Sequence, residues 1–289
     1  MKGIILAAGN GTRLFPLSES VSKILLPVYD KPLIYYSLST LMQAGIKEIL
    51  VITKKTDLNI FKKLLEDGSQ FGLKIQYAIQ YEQRGIADAL IIAERFIGDN
   101  DVCLILGDNI FHHEKLSDIL KVASSDNIGV TVFGYPVSDP ERFGVIEFDD
   151  QGNVISIEEK PSEPRSNIAV VGLYFFSNGV CKIAKKLKPS ARGELEITDL
   201  NIKYLEKGLL KAVVLDKDIL WMDVGTFDSL LEASIRVRDT QRDLNKPICC
   251  PEQTALSVGL VSPEIIKERA ASKKMSEYYK SVGDLCDRF

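Results

Sequence analysis

The sequence predicts an α/β protein built on a mostly parallel, Rossmann-like mixed sheet flanked by helices. In the first half of the chain, short apolar runs alternate with segments of helical periodicity. The middle of the chain is β-rich, with short apolar stretches separated by turn signals. The last part returns to helical spacing, which predicts a small helical region at the C-terminus.

Four apolar runs in the first half predict buried strands, over residues 4–7, 48–53, 74–79 and 102–106. Three segments between them predict helices, over residues 33–44, 58–66 and 85–96. This alternation implies parallel strands joined by right-handed crossovers, with helices on both faces of the sheet. Ligands in such sheets bind at the carboxyl ends of the strands, so the segments after residues 7 and 106 are candidate binding segments.

The middle of the chain predicts strands over residues 129–135, 144–148, 154–158 and 169–176. We expect this segment, about 129–176, to extend the sheet and to form a lid over the site within the same domain. Helices are predicted over 179–187 and 197–207 and a strand over 211–215, and further helices over 227–239 and after Pro263 and Ser276. Residues 1–226 are therefore expected to form the core, and 227–289 a helical region that packs on the body or on another subunit.

Composition excludes several classes of protein. The net charge of −4 and the absence of a long basic run argue against a nucleic-acid partner. The five cysteines include no Cys-x-x-Cys pair, so neither a disulfide framework nor a zinc site is indicated. No apolar run is long enough to span a membrane, and the N-terminus enters a strand without a signal peptide. These features predict a cytoplasmic protein without a membrane partner.

The turn after the first predicted strand has the residues of a phosphate-binding loop. Gly9 and Gly11 allow a ligand to approach the main chain, and turn amides that face one way attract anions. Arg13 and Lys23 add two positive charges suited to phosphate oxygens. The pattern is neither a P-loop nor a dinucleotide fingerprint, and glycines alone would fit an ordinary strand-to-helix turn. With both cations nearby, the segment predicts polyphosphate binding.

Two aspartates follow apolar stretches, at places where strands are predicted to end. Asp108 follows the strand predicted over 102–106, and Asp223 lies just before Gly225. Each alone could be a turn cap, but together with a polyphosphate site they suit Mg²⁺, which often takes one or two carboxylates plus substrate phosphates. Glu159 and Lys160 end another strand, where they are either a solvated charge cluster or ligands for hydroxyls and a second phosphate.

Several segments together resemble the sugar-1-phosphate nucleotidyltransferases, and in particular the bacterial glucose-1-phosphate thymidylyltransferases. The similarity extends over nearly the whole chain and is carried by residues 7–14, 23–27, 30–32, 107–111, 139–142, 158–161, 187–199 and 223–226. The resemblance implies the reaction of dTTP with α-D-glucose 1-phosphate to give dTDP-glucose and diphosphate, by direct in-line attack. It also implies Mg²⁺ as cofactor, a homotetramer, and the first step toward dTDP-sugars such as dTDP-rhamnose.

The resemblance also implies a role for each matching residue. The catalytic set is Arg13, Lys23, Asp108, Lys160 and Asp223, and the metal ligands are Asp108 and Asp223. The nucleotide-binding set is Leu6, Ala8, Gly9, Gly11, Thr12, Arg13, Gln80, Gly85 and Asp108. The sugar-binding set is Asn109, Gly144, Glu159, Lys160 and Val170.

Departures from the family pattern leave alternatives open. Ile24 stands where the family usually has glutamine, and Phe143 where it usually has tyrosine, so UTP or another sugar 1-phosphate remains an alternative. A non-catalytic nucleotide-sugar sensor is a third interpretation, against which the complete set of charged residues argues. The family's second, regulatory nucleotide site corresponds to residues 111–115 and 250–255, which also depart from the pattern. Feedback by dTDP-rhamnose is therefore an open hypothesis.

Overall fold

A computed structural model describes residues 1–273 and 275–286. The strands are β1 (Lys2–Ala7), β2 (Pro27–Val28), β3 (Lys31–Pro32), β4 (Glu48–Thr53), β5 (Lys74–Ile79), β6 (Val102–Leu106), β7 (Asn109–His112), β8 (Val130–Pro136), β9 (Gly144–Phe148), β10 (Val154–Glu159), β11 (Ile168–Phe176), β12 (Leu210–Val214) and β13 (Leu220–Asp223). The helices are α1 (Ile34–Gln43), α2 (Leu58–Leu65), α3 (Asp88–Ile92), α4 (Glu94–Ile97), α5 (Leu116–Ser125), α6 (Val180–Ala184), α7 (Ile197–Leu205), α8 (Phe227–Leu244), α9 (Pro251–Ser257), α10 (Pro263–Ser272) and α11 (Glu277–Leu285).

A nine-stranded mixed sheet runs through the centre of the protein in the order β10-β9-β11-β6-β1-β4-β5, with β8 beside β11 and β12 beside β8. Strands β6, β1, β4 and β5 are parallel, as the alternation of strands and helices predicted. The middle strands join this sheet through β11, which pairs antiparallel with β6. The predicted α/β fold, with its β-rich extension and its C-terminal helices, is confirmed.

Helices cover both faces of the sheet because the apolar side chains of each central strand point alternately to either side. On β1, Ile5 packs into the core that contains α1, whereas Ile4 packs into the opposite core with α3, α6 and α7. Both side chains are fully buried, which explains the uninterrupted apolar run of this strand. The C-terminal helices lie against the body through contacts between α9 and α1 and between α8 and β2.

The prediction of one helix over 85–96 was wrong in detail, because the first residues of this segment form a loop and the rest forms the short helices α3 and α4. The loop is held by another part of the chain. The Leu195 N–H donates to the Arg84 carbonyl at 2.6 Å, and the Ala87 N–H donates to the Leu195 carbonyl at 3.1 Å. The first of these bonds occupies the Arg84 carbonyl, which would otherwise accept the first hydrogen bond of a helix beginning at residue 85. The helix predicted over 179–187 is likewise shorter, as α6.

A small two-stranded sheet, which periodicity did not predict, determines the position of Asp223. Strands β7 and β13 pair antiparallel, with Asp223 opposite Asn109. The Val224 N–H continues this pairing by donating to the Asp108 carbonyl at 2.9 Å. The sheet therefore brings together the two aspartates that are far apart in sequence. None of the helices among the described residues is both long enough and apolar enough to cross a membrane.

Candidate active site

A cavity of about 650 Å³ opens between the carboxyl ends of the parallel strands and the β9–β11 extension. Charged and apolar side chains both line it, and it includes residues predicted to bind the nucleotide as well as residues predicted to bind the sugar. The predicted site residues that line it are Arg13, Asp108, Asn109, Gly144, Glu159, Lys160, Val170 and Asp223.

The turn after β1 holds Arg13 at the edge of this cavity. Gly11 has φ of 65° and leaves little room for a side chain, since a Cβ there would lie 3.1 Å from the Cβ of Lys23. The Ser18 hydroxyl closes the turn by donating to the Gly11 carbonyl at 2.7 Å. A Cβ at Gly225 would lie only 2.8 Å from a terminal nitrogen of Arg13, so this glycine allows the guanidinium to lie beside the backbone that follows Asp223.

The remaining predicted nucleotide residues lie along the end of β1 and the turn. Leu6 is in β1, and its carbonyl accepts a hydrogen bond from the Gly107 N–H at 3.0 Å. Ala8 is buried, whereas Gly9 is exposed with open space where a Cβ would be. Thr12 is exposed at the start of the short helical turn that carries Arg13. Backbone at Gly9 is therefore accessible to a ligand.

Buried charges lie at the end of the cavity where the sequence predicts phosphate binding, which we call the phosphate end. Lys23 is not among the described residues that line the cavity, but its mostly buried side chain makes an ion pair with Oδ2 of Asp108, which does line it. The Asn109 amide donates to Oδ1 of the same carboxylate at 3.1 Å. Burial and the neighbouring Asp108 raise the pKa of Asp223 to about 6, although Lys23 and Arg13 lower it. Two carboxylates close enough to raise a pKa in this way favour a bound cation.

The fit of this pair to a metal ion follows from its donor atoms. Among the residues that the structure describes, no cluster of three or more His, Cys, Asp or Glu side chains could hold a metal. Asp108 and Asp223 would therefore supply a hard cation with carboxylate oxygens only in part, and the substrate phosphates would complete its coordination.

Asn109 is fixed by residues that the sequence analysis did not assign to the site. Its Oδ1 accepts hydrogen bonds from the Trp221 indole at 2.8 Å and from the Gly172 N–H at 3.1 Å. The Trp221 ring in turn lies 5.6 Å from the ring of Phe143 and 5.2 Å from that of Tyr135. Trp221 is the single tryptophan of the chain and directly precedes the segment that contains Asp223, which was the available signal.

Half-exposed charges form a network at the opposite end of the cavity, where the sequence predicts sugar binding and which we call the sugar end. Glu159 accepts a hydrogen bond from the Thr198 hydroxyl, and its other oxygen lies 3.3 Å from Arg192 and 3.8 Å from the Lys160 ammonium. Gly144 lies beside this carboxylate, since a Cβ there would be 3.4 Å from Glu159 Oε2. Val170 is 8% exposed and forms an apolar part of the cavity wall. Arg192 and Thr198 belong to the family-like segment 187–199 but were given no role.

Gln80 and Gly85 are not among the described residues that line this cavity. The Gln80 amide donates to Asp88 at 3.0 Å, and Gly85 adopts φ of 97° against the Leu195 carbonyl. A neighbouring residue that the prediction missed, Gln83, donates from its amide to the Ala8 carbonyl at 2.8 Å. This hydrogen bond joins the loop before α3 to the turn after β1.

Residues 111–115 and 250–255, which correspond to the regulatory nucleotide site of the family, meet at a second cavity of about 570 Å³. His112 and His113 line it from the end of β7, and Gln253 and Thr254 from α9. Burial, with Lys246 nearby, lowers the pKa of His112 to about 4, so its imidazole is neutral at pH 7.

Comparison with known proteins agrees with this geometry. The sequence model of the nucleotidyl transferase family matches residues 2–240. Proteins named glucose-1-phosphate thymidylyltransferase are 53% identical in Neisseria gonorrhoeae, covering 96% of each chain, and 46% identical in Mycobacterium tuberculosis, covering 100% of each. Both similarities extend beyond the matched family region into the C-terminal helices.

Solved structures show the same fold. One from Bacillus anthracis, which carries the name glucose-1-phosphate thymidylyltransferase and was solved with sucrose, has a TM-score of 0.76 and 42% identity over 83% of this chain and 96% of its own. A UDP-glucose pyrophosphorylase in complex with UDP-glucose has a TM-score of 0.72 and 25% identity, over 83% of this chain and 98% of its own. The prediction of a nucleotidyltransferase is confirmed, and the chain belongs to the nucleotidyl transferase family.

Proposed function

We propose that the chain transfers a thymidylyl group from dTTP to α-D-glucose 1-phosphate, giving dTDP-glucose and diphosphate. One observation carries the proposal: a single cavity is lined by Arg13, by the Asp108–Asp223 pair, and by Glu159 and Lys160. It thus offers a cation for a polyphosphate, carboxylates for a metal ion, and a second cation beside a hydroxyl acceptor. The names of the relatives that are 44–53% identical support dTTP and glucose 1-phosphate as the substrates.

In this reaction an oxygen of the glucose 1-phosphate attacks the α-phosphorus of dTTP in line. A new phosphorus–oxygen bond forms, and the bond from the α-phosphorus to the bridging oxygen of the β-phosphate breaks, so that diphosphate leaves with that electron pair. The attacking phosphate oxygen is already ionised at pH 7, so the step requires neither a general base nor a protein nucleophile. Catalysis then rests on positioning and on neutralising negative charge.

Arg13 is the residue we assign to the leaving diphosphate. Its guanidinium lies at the cavity edge beside Gly225, next to the segment that carries Asp223. A planar guanidinium can bind two phosphate oxygens at once. Lys23 is assigned to the reacting phosphates. Its ion pair with Asp108, which lines the cavity, holds the ammonium next to this end of the cavity.

Asp108 and Asp223 are the residues that would hold Mg²⁺. When bound, the ion would shield the charge of the triphosphate and so assist attack at the α-phosphorus. The raised pKa of Asp223 supports this assignment, because burial and the neighbouring Asp108 disfavour its ionised form, which a bound cation would favour. Lys23 and Arg13 supply part of that compensation without a metal.

Lys160, Glu159 and Asn109 are assigned to the sugar phosphate. Lys160 is held in a left-handed conformation, with φ of 46°, by donating its N–H to the Phe143 carbonyl at 2.9 Å. Its ammonium is free enough to meet a phosphate, since its side chain is 47% exposed. Glu159 would accept hydrogen bonds from sugar hydroxyls, and Gly144, which has no Cβ, would let the sugar approach the backbone.

We also propose that the chain has a regulatory nucleotide site and assembles as a homotetramer, as the resemblance implied. The meeting of residues 112–113 with Gln253 and Thr254 around one cavity supports the regulatory site. Addition of dTDP-rhamnose should then slow diphosphate release, and an unchanged rate at saturating dTDP-rhamnose would exclude this ligand. The product would enter the synthesis of dTDP-sugars such as dTDP-rhamnose.

UTP is the second candidate nucleotide. The structural similarity to a UDP-glucose pyrophosphorylase and the apolar side chain of Ile24 both favour considering it. Ile24 is 4% exposed and packs beside Gly107, so it offers no polar group to a pyrimidine base. Discrimination between the two nucleotides would have to come from space around the thymine methyl and the 2′ position.

The proposal is tested by diphosphate release over a matrix of dTTP, UTP and ATP with the 1-phosphates of glucose, galactose and mannose. We expect the highest kcat/KM for dTTP with glucose 1-phosphate. A higher kcat/KM for UTP would identify UTP rather than dTTP as the nucleotide substrate and would leave the proposed type of reaction unchanged. No release from any pair, with dTDP-glucose still bound in a calorimeter, would instead identify a sensor.

A further inference from the structure

The strand order of the central sheet leaves one direction for the base of the nucleotide, given the proposed reaction with a nucleoside triphosphate. The sugar end of the cavity lies on the β9–β11 side of the sheet, and the phosphate end lies where β1 and β6 end. The nucleoside then extends from the phosphates to the other side, where β4 and β5 end. Gln80 directly follows β5 there, and its main-chain N–H donates to the Thr53 carbonyl at the end of β4 at 3.0 Å.

The loop that begins at Gln80 is joined to the phosphate-binding turn. The Gln83 amide donates to the Ala8 carbonyl at 2.8 Å, and Ile86 lines the cavity. Gln80 therefore stands at the start of a loop that contacts both the turn after β1 and the cavity, and its polar side chain, 7% exposed, is available to a base only at one face.

The direction of the Gln80 amide is set by its neighbours. Its Nε2 donates to Oδ2 of Asp88 at 3.0 Å and to the Gly85 carbonyl at 3.4 Å. A carboxylate and a carbonyl accept hydrogen bonds and donate none, so the nitrogen must face them and Oε1 must face away. Asp88 is itself 5% exposed at the start of α3, and its other oxygen lies 4.0 Å from Nε of Arg84. Among the described residues, no donor bonds to Gln80 Oε1.

We propose that Asp88 is a positioning residue that makes the nucleotide site select thymine and uracil over cytosine. By holding Nε2 of Gln80, it presents Oε1 as an acceptor to the base. Thymine and uracil carry a hydrogen on ring nitrogen N3, which donates to such an acceptor, whereas N3 of cytosine carries a lone pair, which repels it. A site built to accept a hydrogen bond discriminates strongly against an analogue that cannot donate it.

The first test compares kcat/KM of the full chain for dTTP, dUTP and dCTP, each with glucose 1-phosphate. The bases of dUTP and dCTP differ only at positions 3 and 4 of the ring, so the ratio of their kcat/KM values isolates this contact. In the wild type we expect dUTP to be favoured over dCTP at least about 100-fold. The ratio of dTTP to dUTP is an internal control, since both bases carry the N3 hydrogen.

Asp88→Asn should lower the dUTP to dCTP ratio at least about tenfold. An asparagine can offer either its oxygen or its nitrogen, so the Gln80 amide can rotate, and only the longer contact with the Gly85 carbonyl still holds it. The ratio of dTTP to dUTP should stay unchanged. A general loss of structure would lower all three kcat/KM values without this change in selectivity.

Asp101→Asn is the matched control. Asp101 is half-buried at the opposite edge of the sheet, before β6, where its Oδ1 accepts a hydrogen bond from the Asn178 N–H at 2.8 Å. The same chemical change there should alter the dUTP to dCTP ratio less than about twofold, because the two sites are far apart. Circular dichroism verifies the fold of both variants.

The second test shows whether Asp88 acts through Gln80. Gln80→Met removes the amide at similar volume and should bring the dUTP to dCTP ratio below about ten. Adding Asp88→Asn to Gln80→Met should then change the ratio no further, because the group that Asp88 orients is gone. A further loss of selectivity in the double variant would refute the positioning role.

A wild type that treats dUTP and dCTP alike, or an Asp88→Asn variant with the wild-type ratio, would also overturn the proposal. A wild type that releases no diphosphate with any nucleotide would instead contradict the proposed reaction. The selectivity is then measured from the dissociation constants of dUTP and dCTP in a calorimeter, for the same variants. Equal constants in the wild type, or no binding of either nucleotide, would refute the role of Asp88 in selectivity.

Discussion

The two ends of the cavity differ in how far their charged side chains are buried. At the phosphate end, the side chains of Lys23 and Asp108 are 10% and 18% exposed and compensate each other inside the protein. At the sugar end, the side chains of Lys160 and Arg192 are 47% and 43% exposed around Glu159. Buried charges interact strongly and are costly to leave unpaired, whereas half-exposed ion pairs are weakened by water and salt.

This difference indicates how each end works. The buried end can hold phosphates in a fixed arrangement, because its groups are oriented before the substrate arrives and little reorganisation remains. The open end can exchange one hydrogen-bond partner for another, since Glu159 already shares its oxygens among Thr198, Arg192 and Lys160. Substitutions at the phosphate end should therefore affect turnover, and those at the sugar end should affect substrate binding.

The largest effect is expected for Asp223→Asn. The substitution preserves the size of the side chain but removes one of the two carboxylates assigned to the metal ion, so kcat should fall about 100-fold or more. The fold should survive. Burial and Asp108 raise the pKa of Asp223 to about 6, so its ionised form is costly in the folded protein at pH 7. Removing that charge should leave the free energy of unfolding, measured in urea, unchanged or larger.

The control for this substitution is Asp216→Asn, at an exposed position in the loop before β13. It makes the same chemical change outside the cavity and should retain wild-type kcat. Equal turnover in the Asp223→Asn variant and the wild type would refute both the metal site and the division between the two ends of the cavity.

Much of the parallel half could be predicted from the sequence, because its strands are buried on both faces and read as continuous apolar runs. Ile4 and Ile5 illustrate this, since both are fully buried although they point to opposite cores. The charged residues of the cavity could be named from their motifs and the resemblance. Their grouping around one cavity is a property of the fold, and the catalytic and binding roles remain predictions.

The sequence pattern did not predict β7 and β13, because each is a short strand whose existence depends on pairing with the other. Their register places Asp223 opposite Asn109, a contact between residues that no local pattern relates. Trp221 was missed for the same reason, since its indole reaches Asn109 only across this pair. The loop around Gly85 was predicted as a helix because the hydrogen bonds that join it to Leu195 connect residues far apart in sequence, which no local pattern indicates.

The backbone hydrogen bonds to Leu195 link the loop around Gly85, which the resemblance assigns to nucleotide binding, with the segment that lines the sugar end. Gly85→Ala should cost about 1–3 kcal/mol of unfolding free energy. Gly85 has φ of 97°, and a Cβ there would lie 2.5 Å from the Leu195 carbonyl, which is backbone and cannot move aside alone. Because Leu195 would be displaced, the KM values for dTTP and for glucose 1-phosphate should both rise.

Gly179→Ala distinguishes the effect of the contact with Leu195 from the effect of the left-handed backbone conformation. Gly179 has φ of 92°, but the space where its Cβ would lie is open, so its substitution should cost only the strain of the left-handed conformation, about 1–2 kcal/mol, which is less than the cost of Gly85→Ala, and it should leave both KM values unchanged. If the two variants lose the same stability, the left-handed conformation alone explains the loss, and the contact with Leu195 does not couple the two sides.

The smallest effect is expected for Glu159→Gln at the sugar end. The amide can still accept a hydrogen bond from Thr198, but it cannot compensate the charges of Arg192 and Lys160. We expect the KM for glucose 1-phosphate to rise about tenfold, which corresponds to the loss of one charge-assisted hydrogen bond, while the KM for dTTP and kcat stay near wild type. Glu194→Gln is the matched control, because Glu194 is 42% exposed and lies 3.9 Å from Arg192, so the loss of its charge should change KM less than about twofold. A large fall in kcat for Glu159→Gln would contradict the assignment of turnover to the phosphate end and of substrate binding to the sugar end, since it would show that the sugar end also stabilises the transition state.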